Sequence, residues 1–143
     1  MSWTNEPGLY LRNPRGGVEA VDRMKDAGFQ WIALNVGDHD DEEWETVRQQ
    51  ALTAGVKCLP WAFVRSDEQV RSLCRLGELR YDGRVLINAE KPLDNGDVTE
   101  EVIAGSAIGL EAAISTEPWL YESVDWKLLK MPIQIQLFPQ ENQ

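Results

Sequence analysis

The chain has 143 residues, of which 43% are hydrophobic and 27% charged, with a formal net charge of −10. That length supports one domain with a real core, and the composition is ordinary for a globular protein. The acidic balance argues against nucleic acid as a partner, because that affinity rests on Lys and Arg, and against anionic membrane surfaces.

No apolar stretch approaches the length of a membrane span. The opening residues, MSWTNEPG, lack the basic and apolar regions of a signal peptide, so synthesis in the cytoplasm without a signal peptide is expected. Two cysteines, Cys58 and Cys74, are too few for a disulfide framework, and one His with no Cys-x-x-Cys leaves no zinc constellation. Neither a metal nor a cofactor is expected.

In chain order, short apolar runs predict strands at residues 9–11, 32–36, 56–64, 85–89, 112–115 and 133–138. Counted from Leu9, Ile32, Val56, Val85, Leu110 and Ile133, successive starts lie 23 to 29 residues apart, room for a strand, a helix and two turns. Between the first two runs, Val18, Val21 and Met24 share one helical face that ends at Gly28. Next come Trp44, Val47, Ala51 and Ala54, with Asp40 or Asp41 as cap, Glu42 and Glu43 in the first turn and Gly55 as the stop. This reading gives DHDDEE, residues 38–43, to capping and a solvated loop rather than to a cation. DAGF and TAGV thus use one device twice, a helix end followed by strand entry. Val70, Leu73, Cys74 and Gly77 form the third helical face, capped by Ser66 or Asp67. A short fourth helix carries Val98, Val102 and Ile103, and a fifth spans residues 123–131.

Alternation of strands and helices argues for parallel strands joined by crossovers. NPRGG, after the first strand, has neither the G-x-G-x-x-G of a dinucleotide site nor the GK[ST] of a P-loop, which disfavours a nucleotide-binding sheet. Polar residues gather instead at the C-terminal strand ends, where barrel folds place their chemistry. The expected fold is therefore α/β: a single (β/α) barrel-like domain over residues 1–143 with parallel strands. It is incomplete, with about six strands and the last two units missing. Its two open edges invite pairing with protein partners or self-association.

The stretch VLINAEKPLD, residues 85–94, ends a buried-type strand on a carboxylate. By alternation Leu86, Asn88 and Glu90 share one face and Val85, Ile87 and Ala89 the other. Glu90 then stands at the mouth as a candidate general acid, oriented by Asn88; the alternative is an ion pair with Lys91 or Arg65. Glycoside hydrolysis needs a second group, and a carboxyl separation of about 5–5.5 Å retains configuration whereas about 6.5–9.5 Å inverts it. Glu117, just past the fifth strand, is that candidate; with Thr116 as cap and Pro118 at the start it also suits the first turn of a helix. Glu141 is a third candidate. Trp61 and Trp119 lie near the same ends and suit stacking on sugar faces, although each also suits core packing. Trp44, Trp31 and Trp126 are expected between helices and sheet. Arg12, Asn35 and Gln136 complete the candidate substrate-binding set, Gln136 sharing its face with Gln134.

GLYLRNP, AGFQWIALNV, AGVKCLPWAFV, VLINAEKPLD, AISTEPWLY and IQIQLFPQEN, in this order, resemble the glycoside-hydrolase-like TIM-barrel domains found among actinobacterial bacteriophage and prophage proteins. N-A-E at the fourth strand is similar to the D-x-E in which lysozyme-type and chitinase-type barrels place their acid. The resemblance implies Glu90 as catalytic acid, with Asn88 where those barrels carry Asp. It also implies a seventh strand, often the source of the nucleophile, and an eighth; both are missing here. By the same resemblance the chain is expected to be a sugar-facing scaffold, with glycan or peptidoglycan of the cell wall as partner. It would be either a glycosidase or a non-catalytic virion or tail module.

Overall fold

The computed structural model describes residues 2–116, 126–129 and 131–135. Its strands are β1 (Gly8–Leu11), β2 (Trp31–Asn35), β3 (Lys57–Phe63), β4 (Arg84–Asn88), β5 (Glu111–Thr116) and β6 (Ile133–Ile135). Between them lie α1 (Gly17–Asp26), α2 (Glu45–Ala54), α3 (Asp67–Arg80), α4 (Lys91–Asn95), α5 (Glu100–Ser106) and α6 (Trp126–Leu129). Single 3₁₀ turns at Trp3–Asn5 and Asp41–Trp44 precede β1 and α2.

The six strands form one sheet in the order β1-β2-β3-β4-β5-β6, and every neighbouring pair is parallel. The order never reverses, so the sheet has no switch point of the kind that sends helices to both faces of a doubly wound fold. One register line runs Phe63–Asn88–Ser115–Gln134 and another runs Asn35–Trp61–Leu86–Ala113.

Local chemistry accounts for the helices. Ser66 caps α3 by accepting from Gln69 N, and Thr99 caps α5 by accepting from Val102 N. Asp40 and Glu43 exchange side-chain and backbone bonds in a capping box ahead of α2. Gly55 ends α2 at φ 74°, a left-handed conformation that other residues adopt at a cost, and its N–H closes the helix onto Ala51 and Leu52. Gly77 lets α3 lie flush on β4, since a Cβ there would stand 2.6 Å from the Arg84 carbonyl oxygen. The helix α4 is not among the helices expected from the sequence; Pro92 lies in its first turn, where the missing N–H costs nothing.

Two aliphatic clusters fill the space between helices and sheet. Ile32, Leu34, Val21, Met24, Val47 and the fully buried Trp44 form one. Val85, Ile87, Ala112, Ile114, Val70, Leu73 and Ile103 belong to the other. The opposite face of the sheet has its own core of Trp3, Trp31, Ala33, Leu59, Leu86 and Ala113, with Tyr10 and Trp61 packed against it. Trp31 is thus a correction, since its expected place is the helix layer. Its indole takes the place of a side chain on β1, where a Cβ on Gly8 would fall 1.9 Å from the ring. Trp44 does lie in the helix layer as expected, and the side chain of Trp126 lies outside the described residues.

The inner face is strongly curved. Trp3, fully buried, donates from Nε1 to the Glu111 carbonyl on β5 at 2.8 Å while its ring meets Trp31 of β2 edge-on at 5.0 Å. Tyr10 of β1 and Ser115 of β5 are hydrogen-bonded through their side chains. In a flat sheet these strands, four spacings apart, would be separated by about 19 Å. Among the described residues no helix is long and apolar enough to cross a membrane.

Candidate functional site

The C-terminal end of the inner face carries the polar groups. Its floor is aromatic: Trp31 lies 6.0 Å from Tyr10, and Tyr10 lies 5.6 Å from Trp61, both pairs tilted. Above it sit the buried Asn88 and Ser115, paired in register at the ends of β4 and β5. The Tyr10 hydroxyl reaches this layer from β1. Burial raises its pKa, and the Ser115 hydrogen bond partly offsets the rise. The Trp61 Nε1–H is buried with no acceptor among the described residues.

Glu90 stands two residues beyond Asn88 and is half-buried. The β4–β5 ladder continues to Ala89, whose N–H donates to the Ser115 carbonyl at 3.0 Å. The chain then turns at Glu90 into α4, with the Glu90 carbonyl accepting from Leu93 N at 3.0 Å. Glu90 is the N-cap residue, and its side chain makes no capping hydrogen bond. Asn88 and Glu90 therefore share one locality at the tip of β4.

The other expected residues divide. Asn35 is buried at the tip of β2 and committed to its own loop: Nδ2 donates to Asp38 Oδ2 at 2.8 Å, and Oδ1 accepts from Gly37 N and Asp38 N at 3.2 and 3.3 Å. This is the side-chain turn that Asn forms with the backbone two residues on. Arg12 is exposed at the tip of β1. Arg65, beyond β3, lies over the Phe63 ring at 4.9 Å. Trp61 belongs to the inner floor. Glu117, Trp119, Gln136 and Glu141 lie outside the described residues.

Sequence reasoning misses Tyr10 and Trp3 as members of this face. The alternation of Gly8 and Tyr10 in GLYL is the available signal for Tyr10. For Trp3, within MSWTNEPG, the surroundings are polar and no periodicity points inward. The acidic run at residues 38–43 also has defined roles here: Asp40 and Glu43 cap, and Asp41 accepts from the Tyr81 hydroxyl at 2.6 Å. The Asp40 backbone bond holds the Glu43 carboxyl below its ordinary pKa, helped by His39.

No protein-family profile, curated protein or solved structure matches the chain.

Proposed function

We propose that the chain is a carbohydrate-facing domain of the glycoside-hydrolase-like kind, its six parallel strands forming most of a (β/α) barrel, and that it acts on bacterial cell-wall glycan. The observation that carries this reading is the position of Glu90: a half-buried carboxylate at the C-terminal tip of a central parallel strand. That edge is where parallel α/β folds hold their chemistry. The resemblance of VLINAEKPLD to the acid-bearing strand of such barrels points the same way.

In this reading Glu90 is the general acid. Its proton goes to the glycosidic oxygen as the bond to the anomeric carbon breaks. Asn88 orients the carboxyl. The second role falls to Glu117 or to an acetamido group of the substrate itself. Trp61 offers a ring for a sugar face. The test is release of reducing ends from purified peptidoglycan and from chitooligosaccharide. Wild-type protein is expected to turn over one of them and Glu90→Gln to be inactive while remaining folded; turnover that survives Glu90→Gln would remove the acid role.

A second reading is a non-catalytic module, such as a virion or tail component, packed on protein partners through the edges of the sheet. Leu9 on edge strand β1 is 40% exposed, and Ile108, in the turn between α5 and β5, is 80% exposed. Absence of turnover together with a stable oligomer in light scattering would favour it.

A further inference from the structure

Three arginines gather toward the other end of the strands, which the acidic composition does not foreshadow. Arg48 on α2, Arg80 at the end of α3 and Arg84 at the start of β4 line one cavity of about 270 Å³. Tyr81 and Cys58 share its wall, with the Arg48 guanidinium 5.5 Å from the Tyr81 ring centroid. Arg48 and Arg84 both pull the Cys58 thiol downward against the burial that pushes it up to about 12, so the two guanidiniums act on the same sulfur.

The pairing of these arginines is uneven. Arg48 and Arg80 share Asp41 and Glu45: Arg48 lies 3.5 Å from Asp41 and also pairs with Glu45, and Arg80 lies 3.6 Å from each. Among the described residues the carboxylate nearest Arg84 is Asp82, at 3.9 Å and 85% exposed, a contact that solvent screens. Its remaining bond is a long one, 3.4 Å, to the Cys58 carbonyl. Yet the Arg48 and Arg84 side chains are only 13% and 19% exposed. The Nε–H groups of both are buried with no acceptor among the described residues. A buried charged donor without an acceptor is unfavourable. Guanidinium forks match the oxygens of a tetrahedral oxyanion.

We propose that this cavity binds a tetrahedral oxyanion of the phosphate class, inorganic phosphate or a small phosphate monoester, through Arg84 and Arg48. Leu52 and Val56 on the cavity wall would contact the organic part of an ester. The site is separate from the glycan reading, because it lies at the opposite end of the strands from Glu90.

The experiment is calorimetric titration at fixed ionic strength with inorganic phosphate and, separately, glycerol 3-phosphate. Three proteins are compared: wild type, Arg84→Gln and Arg71→Gln. Arg71 is 54% exposed and outside the cavity lining, so it reports general charge attraction. One-to-one binding is expected, weakened at least about tenfold by Arg84→Gln and unchanged by Arg71→Gln. Tighter binding of the ester assigns a monoester; equal binding assigns free phosphate. If circular dichroism shows Arg84→Gln unfolded, Arg84→Lys keeps the charge but removes the planar guanidinium and is expected to show the same loss. No binding of either probe at millimolar concentration, or equal weakening by Arg84→Gln and Arg71→Gln, overturns the proposal.

Discussion

The two faces of the sheet are built from different chemistry. The helix-facing side is aliphatic, with Val85, Ile87 and Ile114 fully buried against α3 and α5. The inner side is aromatic toward its N-terminal end and polar toward its C-terminal tips, running from Trp3 and Trp31 through Tyr10 and Trp61 to Asn88 and Ser115. The difference separates two jobs. Apolar burial on the outer side supplies stability without directional demands. The inner side buries hydroxyl, amide and indole groups that need partners, and that demand fixes which residues meet across the curve.

The largest effects should come from the residues that close each face. Trp3→Ala is expected to cost about 3–5 kcal/mol and Ile87→Ala about 2–5 kcal/mol in urea unfolding. Trp3 also holds the N-terminal segment to β5, so its loss should expose Trp31 to fluorescence quenchers while Ile87→Ala leaves Trp31 protected. Equal quenching in both variants would erase the distinction between the faces. Gly8→Ala is expected to cost about 1–3 kcal/mol by overpacking, since the new Cβ meets the Trp31 ring; a neutral result would mean that the indole is free to move.

Much of this division can be read from the chain, and the failures have physical causes. All six strands coincide with apolar runs, and Val70, Leu73, Cys74 and Gly77 are all buried as their spacing demands. The face of Trp31 is not legible because WIALN is buried at every position, so no polar alternation marks inside from outside. The Tyr10–Ser115 bond joins strands four places apart, and no local pattern encodes such a contact. In the candidate site, the place of Asn88 follows from alternation with Leu86 within β4, whereas Glu90 lies past the end of that strand, at the N-cap of α4. Asn35 resembles a ligand-binding amide because a strand tip and an Asx turn prefer the same residue.

Alkaline pH gives an intermediate effect. Burial raises the Cys58 pKa from 9.0 to about 12 and raises that of Tyr81 as well. Between 9.0 and about 12 the folded state keeps a thiol proton that the unfolded chain has lost, so stability is full below pH 9 and falls as pH rises. Cys58 alone contributes a slope of about 1.4 kcal/mol per pH unit in that window. Cys58→Ala should flatten unfolding free energy against pH there, and an unchanged slope would contradict the assignment. The smallest effect is Tyr10→Phe, about 0.5–1.5 kcal/mol in urea unfolding for the lost hydroxyl bond; an unchanged unfolding free energy would contradict that bond.

The claim beneath both the fold and the site is that the sheet bends until the tips of its first and fifth strands share one polar mouth. Nuclear Overhauser contacts between the Tyr10 ring and the Ser115 β-protons test it most directly. The expected result is a clear cross-peak, accompanied by one from Tyr10 to the Trp61 indole. A well-resolved spectrum with the β1–β2 and β4–β5 ladder contacts present and the Tyr10–Ser115 cross-peak missing would contradict it.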